Sequence, residues 1–225
     1  MTTQFIKVGS QEILRSEKVR NLGAIFDCNA NMEHQVMKTA QTAWYHLHAI
    51  VKIQRYLTKE QTQSIIHAYV TSRLDQNNSL LGGTTKELLN KLQRIQNAAA
   101  KIITGGKKHD HVTPLLKTLH WLPLSKRCIF KILLLVYKAL HGNGPEYFKD
   151  LLKPLDSYNT NCQLRSFSQN QLRVSKTQCV IYGDRSFSVL GPRLWNELPL
   201  HIKSSATTAV FKLALKTHLF KAAYD

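Results

Sequence analysis

The chain has 225 residues, enough for one domain or two small ones, and a chain of this size buries roughly 70% of its unfolded surface. Thirty-one Lys and Arg (31) stand against 14 Asp and Glu, for a net charge of +17 and a pI near 9.9. The excess is not a tail, since residues 1–110 carry 15 basic and 8 acidic side chains and residues 111–225 carry 16 and 6. A folded body with this field attracts polyanions, and nucleic acid leads the candidates because phosphate neutralisation supplies most non-specific affinity. The alternative is a basic protein without a specific polyanion partner. Cys28, Cys128, Cys162 and Cys179 lie far apart and form no C-x-x-C pair, which argues against a zinc ribbon or a redox motif. Residues 1–10 are polar and lack the apolar core of a signal peptide, and the longest apolar run, residues 132–137, is far short of a membrane span. The expectation is an intracellular protein of nucleus or cytoplasm, not secreted, with no membrane and no small-molecule substrate.

In chain order, residues 1–29 read as strands. The run FIKV at 5–8 is β-prone and closed by Gly9-Ser10, and residues 19–26 form a second stretch in which Gly23 suggests a bulge or a close backbone approach. From Asn31 the period turns helical, with Val36, Ala40, Ala43, Leu47 and Ile50 at spacings of three and four. Thr58-x-x-Gln61 is a capping box opening a second helix, which should stop near Gly82-Gly83. Thr84-x-x-Glu87 is another, followed by Leu88, Leu92, Ile95, Ala99 and Ile102 and closed by Gly105-Gly106. Three such helices on short turns make a bundle.

Residues 107–113 are a polar loop, and 115–119 a short helix or turn stopped by Trp121-Leu122-Pro123. Ser125 then caps the most apolar helix of the chain, which runs to about Leu140 and is broken by Gly142 and Gly144-Pro145. A helix so apolar needs neighbours on most of its circumference. Residues 146–152 read as one short helix, and 153–175 as a linker rich in Ser and Asn. Residues 172–180 are extended and basic, and 185–199 compact and aromatic. A final helix over about 207–222 has Phe211, Leu215 and Leu219 on one face. The fold class is α+β, predominantly α: an N-terminal β-hairpin over 1–29, a helical bundle over 30–153, and a small basic C-terminal α/β region over 154–225.

No constellation points to catalysis. Two-metal chemistry needs paired carboxylates, but Asp27, Asp75 and Asp184 are scattered and no D-x-D occurs. His46 and His48, two apart on a helix, face different ways, and His109-Asp110-His111 lies in a loop. No catalytic residues, no metal site and no cofactor are assigned. The positive signal is basic. Lys101, Lys107 and Lys108 straddle a helix end and a glycine turn. Arg127, Lys131 and Lys138 fall in one narrow sector at about 100° per residue, either a ridge facing a nucleic-acid backbone or a solvated stripe. Arg165, Arg173, Lys176, Arg185 and Arg193 form a third set interleaved with Phe167, Tyr182, Phe187 and Trp195. Those aromatics either stack on single-stranded bases or fill a small core.

Several phrases carry a resemblance: VRNLGAIFD (19–27), HAYVTSRLD (67–75), LQRIQNAAAKIITG (92–105), TPLLKTLHWLPLSKRCIFKILLLVYKALHG (113–142), GDRSFSVLGPRLWNELPLHIKSS (183–205) and FKLALKTHLF (211–220). Together, and in this order, they resemble the C-terminal part of the open reading frame 2 protein of non-LTR (LINE) retrotransposons of the chicken-repeat-1 and L2-like group. The resemblance implies that residues 1–29 are a residual, palm-like hairpin near the primer-gripping element, and that 30–153 are the thumb and following helices. It implies a truncated reverse transcriptase fragment whose catalytic aspartates, carried in the family by a Tyr-Ala-Asp-Asp-like turn upstream, are absent, so the chain alone is no enzyme. SRLDQNNSLL replaces the family's SRLDYCNSLL at Gln76 and Asn77. The expected residual activity is non-specific binding of RNA or DNA. Two alternatives stand beside it: an orphan protein-interaction module anchored by Trp44, Trp121 and Trp195, and the C-terminal part of an active RNA-directed DNA polymerase encoded by a longer frame.

Overall fold

A computed structural model describes residues 5–14, 16–107, 109–155, 170–179 and 183–225. It shows a predominantly helical α+β protein. Strands β1 (Phe5–Val8) and β2 (Gln11–Leu14) pair antiparallel, with Lys7 opposite Glu12, and all eight residues are exposed. Strands β3 (Lys18–Asn21) and β4 (Ala24–Asp27) make a second, separate hairpin. Residues 19–26 read from sequence as one β-prone stretch, for which the motif resemblance implies a strand pair. The stretch folds in half at Leu22-Gly23, both at positive φ (46° and 87°), the combination whose twist suits a two-residue hairpin turn. Gly23 therefore marks a turn and not a bulge. Ala24 is buried against helix α1 (Glu33–Ile53), and the Ile25 N–H donates to Gln35 Oε1 at 2.9 Å. The Asp27 carboxylate closes the junction by accepting from the Asn31 and Met32 N–H groups at 3.0 and 2.9 Å.

On α1 the stripe Val36, Ala43, Leu47 and Ile50 is buried as its spacing requires. Helix α2 (Lys59–Ile66) opens on the reciprocal Thr58–Gln61 box, with bonds of 2.9 and 3.3 Å. It continues without a break through a π-turn (His67–Thr71) into α3 (Ser72–Asp75). The rod ends at Asp75, earlier than the Gly82-Gly83 expected, and a 3-10 turn (Asn78–Leu81) fills the interval. Helix α4 (Lys86–Thr104) is capped by Thr85, one residue later than expected, because the Thr84 hydroxyl donates to the Leu81 carbonyl at 2.8 Å. It stops at Gly105 in the left-handed conformation.

After α5 (Val112–Thr118) comes α6 (Leu124–Leu140). Ser125 does not cap it. Its first N–H, from Leu124, donates to Gln93 Oε1 of α4 at 2.8 Å, so the cap comes from another helix. Then follow α7 (Glu146–Leu151), α8 (Phe187–Asn196), α9 (Leu200–Lys203) and α10 (Thr208–Tyr224), the last capped by Thr207. Among the described residues beyond 152, β structure is confined to one bridge, Pro154 to Leu172.

Two apolar cores result. The first gathers α1, α2, α4 and the start of α6, through Leu47, Ile66, Leu92, Ile95, Leu124 and Cys128. The second gathers the rest of α6 with α8 and α10, through Leu133, Tyr137, Trp195, Phe211 and Leu215, and so crosses the composition boundary at residue 154. Between them, Gly82 sits so close to α6 that an added Cβ would collide with the Ile132 side chain and lie 3.1 Å from Leu190 Cδ2. Gly82→Ala should therefore destabilise the protein by about 1–3 kcal/mol through overpacking, read as a lower urea midpoint at unchanged slope.

Candidate nucleic-acid interface

A cation-rich cleft lies where the β3–β4 hairpin meets α1 and α3. Arg20 on β3, Lys38 on α1 and Arg73 on α3 line a cleft of about 190 Å³ together with Gln35, Thr39, Thr42 and Gln76, and no carboxylate lines it. Each wall follows from local structure. Gln35, Thr39 and Thr42 share the polar face of α1, and Gln35 joins wall to hairpin through Ile25 while donating to Thr39 Oγ1 at 3.3 Å. Gly23 brings the hairpin turn so near α3 that a Cβ there would be 3.3 Å from Gln76 Nε2. Arg20, Lys38 and Arg73 are exposed, and among the described residues none is in an ion pair. Three unneutralised cations converging on a cleft bordered by hydroxyls and amides suit a phosphate oxygen. Sequence reasoning missed all three. Lys38 was findable on the polar face of α1. The placing of Arg20 and Arg73 depends on the turn at Leu22-Gly23 and on the π-turn.

The carboxylates nearby serve structure. Asp27 holds the turn before α1 through the Asn31 and Met32 N–H groups, and Asp75 holds Arg127 at 2.8 Å and accepts from Asn78 Nδ2 at 3.2 Å. Asp110 accepts from the Lys107 N–H, and Asp184 from Thr177 Oγ1 at 2.9 Å. Among the described residues no group of three or more His, Cys, Asp and Glu is arranged to hold a metal ion.

The basic residues singled out from sequence do not form one surface. On α6, Lys131 is exposed and Lys138 half-buried, but Arg127 is turned inward, paired with Asp75 and donating through Nε to the Leu122 carbonyl at 3.2 Å. It ties α6 to α3. Lys101 is half-buried in the last turn of α4, and Lys107 is exposed beyond Gly106. Lys108 and Arg165 lie outside the described residues. Arg173 and Lys176 are exposed on the extended segment after Leu172. Arg193 lies 3.5 Å from Asp184. Arg185 is a structural clip, donating to the carbonyls of Ala30 (2.7 Å), Leu80 (3.3 Å) and Gly82 (3.5 Å), and burial lowers its pKa.

Of the interleaved aromatics, Trp195 is 1% exposed and fills the second core, while Phe187 lies against Phe148. Phe167 and Tyr182 lie outside the described residues. Trp121 is 4% exposed and Trp44 half-buried, so neither Trp121 nor Trp195 is free to anchor a protein interface. His48 stacks on Trp44, whereas His46 faces Tyr45 and Tyr69, the divergence expected two positions apart on a helix.

No helix among the described residues is long and apolar enough to cross a membrane. No protein-family model, no curated protein and no solved structure matches the chain.

Two titrations follow from this geometry. Burial, reinforced by the Asp75 carboxylate, pushes the Cys128 thiol up to about 12. A thiol so rarely ionised is inert. Iodoacetamide should alkylate the exposed Cys28 and Cys179 of the native protein and reach Cys128 only after unfolding in urea, as peptide mass mapping would show. Burial, followed by Arg127, lowers His67 below its ordinary 6.5, with Asp75 opposing, and burial followed by His201 and Lys126 lowers His218. The unfolded chain then binds more protons than the folded one as pH falls below 6.5, so stability declines from there toward the depressed folded values. Urea midpoints should fall between about pH 7 and pH 5, and the fall should flatten in His67→Gln combined with His218→Gln.

Proposed function

We propose that this chain binds single-stranded RNA or DNA without sequence preference, through phosphate contacts centred on Arg20, Lys38 and Arg73, and does not polymerise nucleotides by itself. The carrying observation is the cleft those three cations share, with no carboxylate in its lining. The net charge of +17 supports the same reading at long range. The commitment of Asp27, Asp75, Asp110 and Asp184 to turns, hydrogen bonds and ion pairs leaves little for a metal-dependent transfer. The motif resemblance to non-LTR reverse transcriptases supplies an origin consistent with it: a thumb-like and C-terminal fragment that touches a strand it does not extend.

A second reading, in which the chain is the C-terminal part of an active polymerase, draws on β1–β2. Every residue of that hairpin is exposed, and a two-stranded hairpin is marginal on its own. A primer-extension assay on this chain alone should be blank. Incorporation would overturn the assignment of no catalysis.

Filter binding to single-stranded RNA over a salt series tests the main reading. Affinity should fall as salt rises. Replacing Arg20, Lys38 and Arg73 together by Ala should reduce the logarithmic salt slope by about 2, at about 0.7 per lost phosphate contact. Absence of binding at low salt would remove the proposal.

A further inference from the structure

A second cleft, of about 420 Å³, opens between the end of α2, the α5–α6 connection and α10, and it has a different character. His67, His120, Trp121 and Phe130 supply rings, Gln63 an amide, and Arg127 and Lys216 the charge, with no carboxylate in the lining. Its size lies within the range of small-ligand sites. Two backbone irregularities deliver its imidazoles. His67 is the first residue of the π-turn in the α2–α3 rod, a distortion found often at functional sites. His120 has a φ of 52°, a left-handed conformation that non-glycine residues adopt at a cost. Both histidines remain exposed.

The walls behind them are fixed. The His67 ring meets Trp121 edge-on at 5.3 Å, and His120 stacks against Phe220 at 6.0 Å and 21°. The Arg127 guanidinium stands 5.9 Å from the Trp121 ring and is held there by Asp75. The Tyr224 hydroxyl donates to the Trp121 carbonyl at 2.6 Å, which ties the end of α10 to the same turn. Lys216 is exposed at the rim.

We propose that this cleft receives one unpaired nucleotide of a single strand, its base against the His67 and His120 rings and its phosphate on Lys216. The inference rests on the reading that the chain binds single-stranded nucleic acid and adds a base-dependent component to it. Rings recognise the π-face that every base presents, so the site is indifferent to base identity but sensitive to the presence of a base. Burial and Arg127 lower the His67 pKa, which favours its neutral ring, so His67 offers a stacking surface and Lys216 the charge. The first cleft is lined by Arg73, which follows the same π-turn, so the rod of α2 and α3 contributes His67 at its middle to one cleft and Arg73 near its end to the other.

The test compares an oligothymidylate with the same strand made abasic, using the full chain at low salt. Removing the bases should weaken wild-type binding about tenfold, the range of one or two stacked bases. His67→Ala and His120→Asn should each shrink that ratio toward one, Asn being chosen because it tolerates the left-handed backbone. Lys216→Ala, an exposed position on α10, should weaken intact and abasic strands alike and lower the salt slope by about 0.7. Equal wild-type affinity for both strands, or a ratio unchanged in both histidine variants, would overturn the base pocket while leaving the phosphate reading standing. Failure of wild-type protein to bind either strand would instead remove the broader reading and this one with it. An unchanged salt slope in Lys216→Ala would overturn the phosphate assignment at this cleft.

Discussion

Helix α6 is the constraint on which the rest of the molecule depends. Its sequence offers almost no face to water, so it must be enclosed, and one element cannot do that. The first core closes on Leu124 and Cys128, the second on Leu133, Val136, Tyr137 and Ala139. Glycines allow the neighbours their approach: Gly82 before α4 lies against Ile132, and Gly191 of α8 would place a Cβ 3.1 Å from Val136 Cγ2. Enclosure also leaves polar groups to satisfy. Gln93 accepts the first N–H of the helix, and the Tyr137 hydroxyl, buried in the second core, donates to the Ser205 carbonyl at 2.7 Å. A buried polar group without such a partner costs about 1–3 kcal/mol, so these bonds set where the neighbouring elements must stand.

That enclosure decides which cations remain available to a ligand. Arg127 follows from α6 as a basic residue on an apolar helix, yet where its turn packs against the core it meets Asp75. Arg185 is likewise drawn into three carbonyl contacts at the junction of the hairpin, the 3-10 turn and α8. Both are charges used to join elements. Arg20, Lys38, Arg73 and Lys216, which line the two clefts and are in no ion pair among the described residues, are exposed on elements that leave at least one face to solvent. A net charge of +17 therefore says less about binding than the partition of that charge between joints and clefts.

Some irregularities of the backbone lie at these clefts. The Leu22-Gly23 turn and the π-turn at His67–Thr71 with the left-handed His120 border the two clefts, whereas the left-handed Ala30, Met32, Asn77 and Asn170 line neither. Strain of this kind persists only where surrounding contacts over-determine it. Here those contacts are Gln35 to Ile25, Trp121 to His67, and Phe220 to His120.

Periodicity by itself was sufficient for α1, the α2 start, α4, α6 and α10, because their apolar stripes, the Thr58 cap and the Gly105 stop act within a few residues of sequence. It was sufficient too for the predominance of helix and for the position of α6 at the centre. What depended on contacts distant in sequence was not legible there. The cap of α6 comes from Gln93, 31 residues earlier. The inward turn of Arg127 requires Asp75, 52 residues away. The cleft of Arg20, Lys38 and Arg73 unites three elements through a hairpin reversal and a π-turn that leave no periodic trace. Local propensity determines which segments become helices; the satisfaction of buried charges and amides across the chain decides which of their basic side chains stay free to meet a ligand.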